Sequence, residues 1–268
     1  MLSTKIIKVT ALSLGLFLSG NALSQIVINE YSCSNSSGPT DAFGEQEDWV
    51  ELYNASGSAI DISGYYLSDK STNPTKWQIP AGVSVPANGY TMVYGSKRDQ
   101  VSGAELHPNF SLTQTKGEWI ILANDLGNIV DELQITQMTK QDHSVGRSTD
   151  GAAEWKLFTT PTPNSANTGA QPFYTPTPVM DIAPGFYASA QTVTITCTEV
   201  GATIRYTLDG STPNGTSTVY SGPLNVSNTT VVRAVAYGAN EPSFNETNSY
   251  FINVTHPIPV VSVCSDEI

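Results

Sequence analysis

Apolar and polar positions alternate in short runs along the first half of the chain. The runs read IVINEY at 26–31, DWVELYN at 48–54, IDISGYYLSD at 60–69 and KWQIP at 76–80. A period of two turns one set of side chains to a core and the other outward, which predicts β-strands. Strands are expected at 26–31, 48–54, 59–67, 75–79, 90–95, 118–123, 128–135 and 155–159. Glycine, proline, asparagine and aspartate cluster between them, as in Ser36-Ser37-Gly38-Pro39 and Pro86-Ala87-Asn88-Gly89. Many short strands with regular turn signals indicate a sandwich or barrel. Within 49–53, Val50 and Leu52 share one face, while Trp49 and Tyr53 flank Glu51 on the other. Residues 119–122 are apolar on both faces, as an inner strand requires. No window carries a long 3.6-residue period. The polar stretch 137–144 reads as a loop or a single helical turn.

The pattern changes at TPTPNSANTGAQPFYTPTP, residues 160–178, where five prolines work against regular sheet pairing and favour a stiff, extended connection. Alternation then resumes. Residues 192–198 alternate without a fault, and so do 203–208, which run straight into Asp209-Gly210, a strong hairpin signal. Another strand is expected at 231–237. The chain thus divides into a leader at 1–24, a first sandwich at 25–168, a linker at 169–177, a second and smaller sandwich at 178–254, and a tail at 255–268. The fold class is all-β, two sandwiches in tandem.

Composition narrows the setting. Lys5 and Lys8, the apolar stretch 9–18 and the small residues at 22–24 read as a secretory signal cleaved before Gln25, too short in its apolar part to span a bilayer. Only 13% of residues are charged, and the chain carries net −12. Removing the leader takes away two lysines and leaves 10 basic against 24 acidic residues, or −14. Such a surface repels polyanions, so nucleic acid is not an expected partner, and a nuclease-accessory role is disfavoured. Three cysteines, Cys33, Cys197 and Cys264, lie far apart and form no disulfide framework. Cys197 reads as a small buried apolar residue.

The residues at 28–30, 48–54, 60–69, 77–80 and 86–90, with the stretch Thr160-Pro161-Thr162-Pro163-Asn164-Ser165-Ala166-Asn167, resemble the bacterial form of the lamin-tail domain family in order and spacing. That resemblance implies an immunoglobulin-like sandwich without catalytic residues. In the second block, Pro184-Gly185-Phe186-Tyr187, the run 202–213, Tyr220-Ser221-Gly222-Pro223-Leu224 and the run 232–236 resemble the non-catalytic C-terminal module of chitobiases and β-hexosaminidases. That module is similar to fibronectin type III domains, and it implies spacing and carbohydrate contact rather than hydrolysis. Residues 256–263 resemble the opening strand of the CotH-type spore-coat kinase family. By that resemblance the chain would be the front portion of a larger secreted enzyme; the alternative is a plain tail.

Candidate chemistry is sparse. His107, His143 and His256 are scattered, with no ligand spacing for zinc. Asp142-His143-Ser144 sits in a polar loop, where neighbours point different ways. Asp41, Glu45, Glu47 and Asp48 form an acidic cluster that reads as a solvated loop, and Asp209-Gly210-Ser211 reads as a turn rather than a calcium loop. Trp49, Tyr65, Tyr66 and Trp77 in the first block, and Tyr187 and Tyr220 in the second, are candidates for stacking on sugars, set against an ordinary core role. No catalytic residue, metal or cofactor is expected, and no binding residue stands out. The expected activity is that of a secreted or cell-surface scaffold, binding a polysaccharide or a surface protein.

Overall fold

The computed structural model describes residues 25–256 and 259–263; the leader segment 1–24 and Cys264 lie outside the described residues. The described chain is all β-strand and turn, as expected. The first sandwich sets a seven-stranded sheet against a four-stranded one. The larger sheet runs, edge to edge, Trp155–Phe158, Ser144–Arg147, Ile26–Ser32, Trp49–Asn54, Tyr90–Tyr94, Glu105–His107 and Gln100–Ser102. Its neighbours are antiparallel except Tyr90–Tyr94 beside Glu105–His107. The smaller sheet runs Ile129–Gln134, Trp119–Ala123, Tyr66–Ser68 and Trp77–Gln78, which puts Trp119–Ala123 inside it, as its doubly apolar sequence requires. Ile28, Val50 and Leu52 meet Leu67, Trp77, Ile120 and Leu122 between the sheets. Asp131 closes one side. Its Oδ2 accepts from Ile28 N (2.8 Å) and from the Arg147 guanidinium (2.8 Å).

Two expected strands are each split in two, for one physical reason. The run expected at 59–67 becomes Ile60–Asp61, paired with Ser84–Val85, and Tyr66–Ser68, paired with Trp119–Ala123. Between them Asp61 Oδ1 accepts from Ser63 N, and Gly64 takes a φ of 83°, a left-handed turn that only glycine adopts freely. The chain turns a corner there and changes partner. The faultless alternation at 192–198 divides at Thr194 into Gln191–Val193, paired with Leu224–Val226, and Ile195–Thr196, paired with Val179–Met180. Alternation reports which face a residue occupies, not which strand it pairs with.

The second sandwich is built on a five-stranded sheet of Gly185–Tyr187, Glu246–Ile252, Thr230–Tyr237, Thr203–Thr207 and Thr218–Val219. Tyr250, Val193, Val232 and Ile195 fill its core. The hairpin after Thr207 is longer than Asp209-Gly210 alone suggests: Tyr206 pairs with Thr218, so residues 208–217 form the loop. Asp209 Oδ1 accepts from Ser211 N and Oγ and closes a turn within that loop.

Candidate functional site

The densest polar site grows from one irregularity. In the strand Ile26–Ser32 the register against Trp49–Asn54 shifts between Ile28, opposite Leu52, and Glu30, opposite Glu51, so Asn29 occupies a β-bulge. Two fully buried glutamates therefore face each other across the ladder, an unfavourable placement for two charges. Burial pushes Glu51 up to about 8, with the Glu30 and Asp150 charges adding to it against the pull of the Asn29 and Asn164 bonds. Burial raises Glu30 as well. Glu51 thus keeps its proton at neutral pH, which removes most of the repulsion.

Donors come from distant parts of the chain. Thr162 N (3.0 Å) and Oγ1 (2.6 Å), with Ser144 Oγ, donate to Glu30. Asn29 Nδ2 (2.9 Å) and Asn164 N (2.6 Å) reach Glu51. Asp150 accepts from Asn29 Nδ2, Asn167 N and Tyr90 OH. Asn167, almost fully buried, donates to the Arg147 and Asn29 carbonyls. A carboxyl pair with one member held protonated is also how acid–base sites are made. Here segment 162–167 seals the pair, and the protein's own donors occupy its oxygens. The cluster ties the closing segment to the first two strands. Gly146, opposite Glu30, leaves the room: a Cβ there would lie 2.9 Å from the Phe158 ring and 3.0 Å from Glu30 Cγ.

The residues singled out by sequence lie apart. Asp142 accepts from Ser36 N and Ser37 N; burial works to raise its pKa, and these bonds hold it below the usual range. His143 Nδ1 pairs with Tyr174 OH (2.7 Å), and Ser144 turns to Glu30. The three neighbours thus serve three different partners. The acidic cluster is not one solvated loop, as expected, because Asp41 folds inward: it is buried, and its Oδ1 caps Phe43 N and Glu45 N. Its Oδ2 lies 3.8 Å from His107 Nδ1, and Glu105 Oε2 lies 3.5 Å from His107 Nε2. Asp48, half-buried, is pushed up to about 6 by desolvation. Among the described residues, no group of three or more His, Cys, Asp or Glu has the geometry to hold a metal. Trp49 and Trp77 are core side chains, while Tyr65, Tyr66, Tyr187 and Tyr220 are half-buried. Cys197 is half-buried rather than enclosed, its Sγ against the Pro176 carbonyl; Cys33 and Cys197 are free thiols.

Sequence reasoning assigned no role to Asn29, Glu30, Glu51, Asp150 or Asn167. One signal was present: Glu51 is the one charged residue of the strand Trp49–Asn54, set between Val50 and Leu52.

The linker is fastened at both ends. Gln171 and Leu157 exchange both backbone hydrogen bonds, and Phe173 packs on the first core. Thr175 N donates to Glu241 O, and Thr175 Oγ1 accepts from Gly238 N. Tyr174 stands between the sandwiches, accepting from Lys140 N (3.0 Å), stacked on His143 and edge-packed against Phe244 at 4.9 Å. Lys140 Nζ reaches the Pro242 carbonyl (3.0 Å).

The comparisons with known families fall on the two sandwiches. Residues 19–137 match the family model of the Lamin Tail Domain, and residues 182–247 match that of the chitobiase/beta-hexosaminidase C-terminal domain. The two matches follow one another along the chain, one on each sandwich, and both families are of an immunoglobulin-like, non-catalytic type. The CotH resemblance of the tail has no support in these matches. No curated protein matches the chain significantly. The strands Ser144–Arg147 and Trp155–Phe158 and the closing segment lie beyond the first match, yet complete its larger sheet and its carboxylate cluster. No helix among the described residues is long and apolar enough to cross a membrane.

Proposed function

We propose that the chain is a non-catalytic extracellular module that binds a glycan or a surface protein and presents it on a rigid two-sandwich body. The fastened linker is the observation that carries this reading: a body that holds two binding-type modules at a set angle is suited to display and recognition. The carboxylate cluster supports it, since the groups most like an acid–base pair are spent on closing a sandwich. The leader-like segment and the low charge content support a location outside the cytoplasm. Retention of the full chain on a panel of insoluble polysaccharides and immobilised surface proteins tests the reading. Binding of at least one is expected, and recovery in the unbound fraction from every member would overturn it.

A second reading makes the two sandwiches the accessory part of a larger secreted enzyme of the CotH kinase type. The exposed apolar side chains of Val261 and Val263 favour it, because such side chains gain from being covered. The coding sequence downstream of Ile268 decides: an immediate stop codon rules this reading out.

A further inference from the structure

We propose that the cleft between the two sandwiches is a binding site for a neutral oligosaccharide two or three sugar rings long. This assignment rests on the binding-module reading and gives it a place and a ligand class. The cleft has a volume of about 550 Å³. That falls in the range of small-ligand sites, which favour domain junctions. Gln114, Met138 and Gln141 line it from the first sandwich, and Thr212, Phe244 and Asn245 from the second. It exists only because both sandwiches meet here.

The lining chemistry narrows the ligand. Phe244 and the half-exposed Met138 present apolar surface suited to the C–H face of a pyranose ring. The Phe244 ring is held in place by its edge contact with Tyr174. Around these faces stand three carboxamides and the hydroxyls of Thr139 and Thr212, groups that exchange hydrogen bonds with sugar hydroxyls. Gln114 is pre-set, since it bonds Thr139 N (2.7 Å) through Oε1 and Thr139 O (3.1 Å) through Nε2. None of the residues lining the cleft carries a carboxylate, so a basic peptide or a metal cation has no counter-charge there. A polyanion meets a chain of net −12. Two basic residues, Lys140 and His143, also line the cleft. The Lys140 ammonium already faces the Pro242 carbonyl and the rings of Tyr174 and Phe244, and His143 stacks on Tyr174 with its Nδ1 paired to the Tyr174 hydroxyl. An uncharged ligand with both apolar faces and many hydroxyls satisfies all of these limits. Because the junction is fastened, binding need not first order the two domains, which favours affinity.

The test uses the full chain with chitotriose, cellotriose and xylotriose, and with trigalacturonate and a lysine-rich peptide as charged competitors. Calorimetry gives affinity, and amide chemical shifts give location. One neutral trisaccharide is expected to bind with Kd on the order of 0.1–1 mM, shifting the resonances of Gln114, Gln141 and Asn245. Met138→Arg, at an exposed position, and Phe244→Leu, which keeps an apolar side chain against Tyr174, are each expected to weaken it at least tenfold. Phe186→Ala, on the exposed aromatic surface at the far strand of the second sandwich, should leave it unchanged. If a trisaccharide or polysaccharide binds while both cleft variants behave as the parent, the cleft assignment falls and the binding-module reading stands. Preference for trigalacturonate or the peptide overturns the ligand class. If nothing binds, on this panel or on the solid supports, both fall.

Discussion

At the scale of single residues, the proton on Glu51 has a measurable consequence. Folding raises this carboxyl from its ordinary 4.5 to about 8. A carboxyl whose folded pKa is raised contributes stability that is complete below the unfolded value and is lost as pH climbs through the folded one. Stability of the first sandwich should therefore fall between about pH 4.5 and 8, by roughly 4–5 kcal/mol, at about 1.4 kcal/mol for each pH unit separating the two values. Thermal unfolding across that range checks it: the Tm of the parent should decline towards pH 8, and Glu51→Gln should flatten the decline even if it lowers the curve. A parent Tm that rises over this window would contradict a buried proton. Gly146→Ala presses a methyl group on the Phe158 ring and the Glu30 side chain, neither free to withdraw. It should cost about 1–3 kcal/mol in denaturant unfolding, with the fold retained.

At the scale of elements, the closing segment is held by side chains rather than by a ladder. Asn167→Ala removes two donors to buried carbonyls and one acceptor for Asn29. Leaving buried carbonyls unpaired costs about 1–3 kcal/mol each. Hydrogen exchange should then quicken at Thr162 and Asn164, whose amides cap Glu30 and Glu51, while Ile121 and Leu122 at the centre of the smaller sheet stay protected. The strands legible from sequence are those with two or more apolar side chains at alternate positions, such as Ile26–Ser32 and Tyr90–Tyr94. Ser144–Arg147 was not among them, because Ser-Val-Gly-Arg offers one apolar side chain, and its burial comes from polar partners far away in sequence. The carboxylate cluster escaped for a related reason. Its members lie at 29–30, 51, 150 and 162–167, and only the fold, with one bulge, brings them together.

At the scale of the whole molecule, Tyr174 joins the two sandwiches, holding Lys140 and His143 of the first and Phe244 of the second. Tyr174→Ala removes its bonds to Lys140 and His143 and its packing on Phe244. The parent is expected to unfold as one body. The variant should show two separated thermal transitions and a broader distribution of dimensions in small-angle scattering. The junction also carries its own pH response. Burial, then the nearby Lys140 ammonium, holds His143 below its ordinary 6.5, against the opposing charges of Glu241 and Asp142. A histidine with a depressed folded pKa gives stability that is complete above 6.5 and is lost as pH falls, the reverse of Glu51. Acidification from pH 7 to 5 should therefore loosen the junction while it firms the first sandwich. The fastened linker has a mechanical consequence too. Residues 169–177 hold roughly 30 Å of contour if drawn straight, yet little of it is slack while Gln171 and Thr175 are tethered. Under tension along the chain, those few hydrogen bonds are expected to yield before either sandwich does. The linker would then lengthen in steps and absorb work, as a fuse that spares the domains on either side.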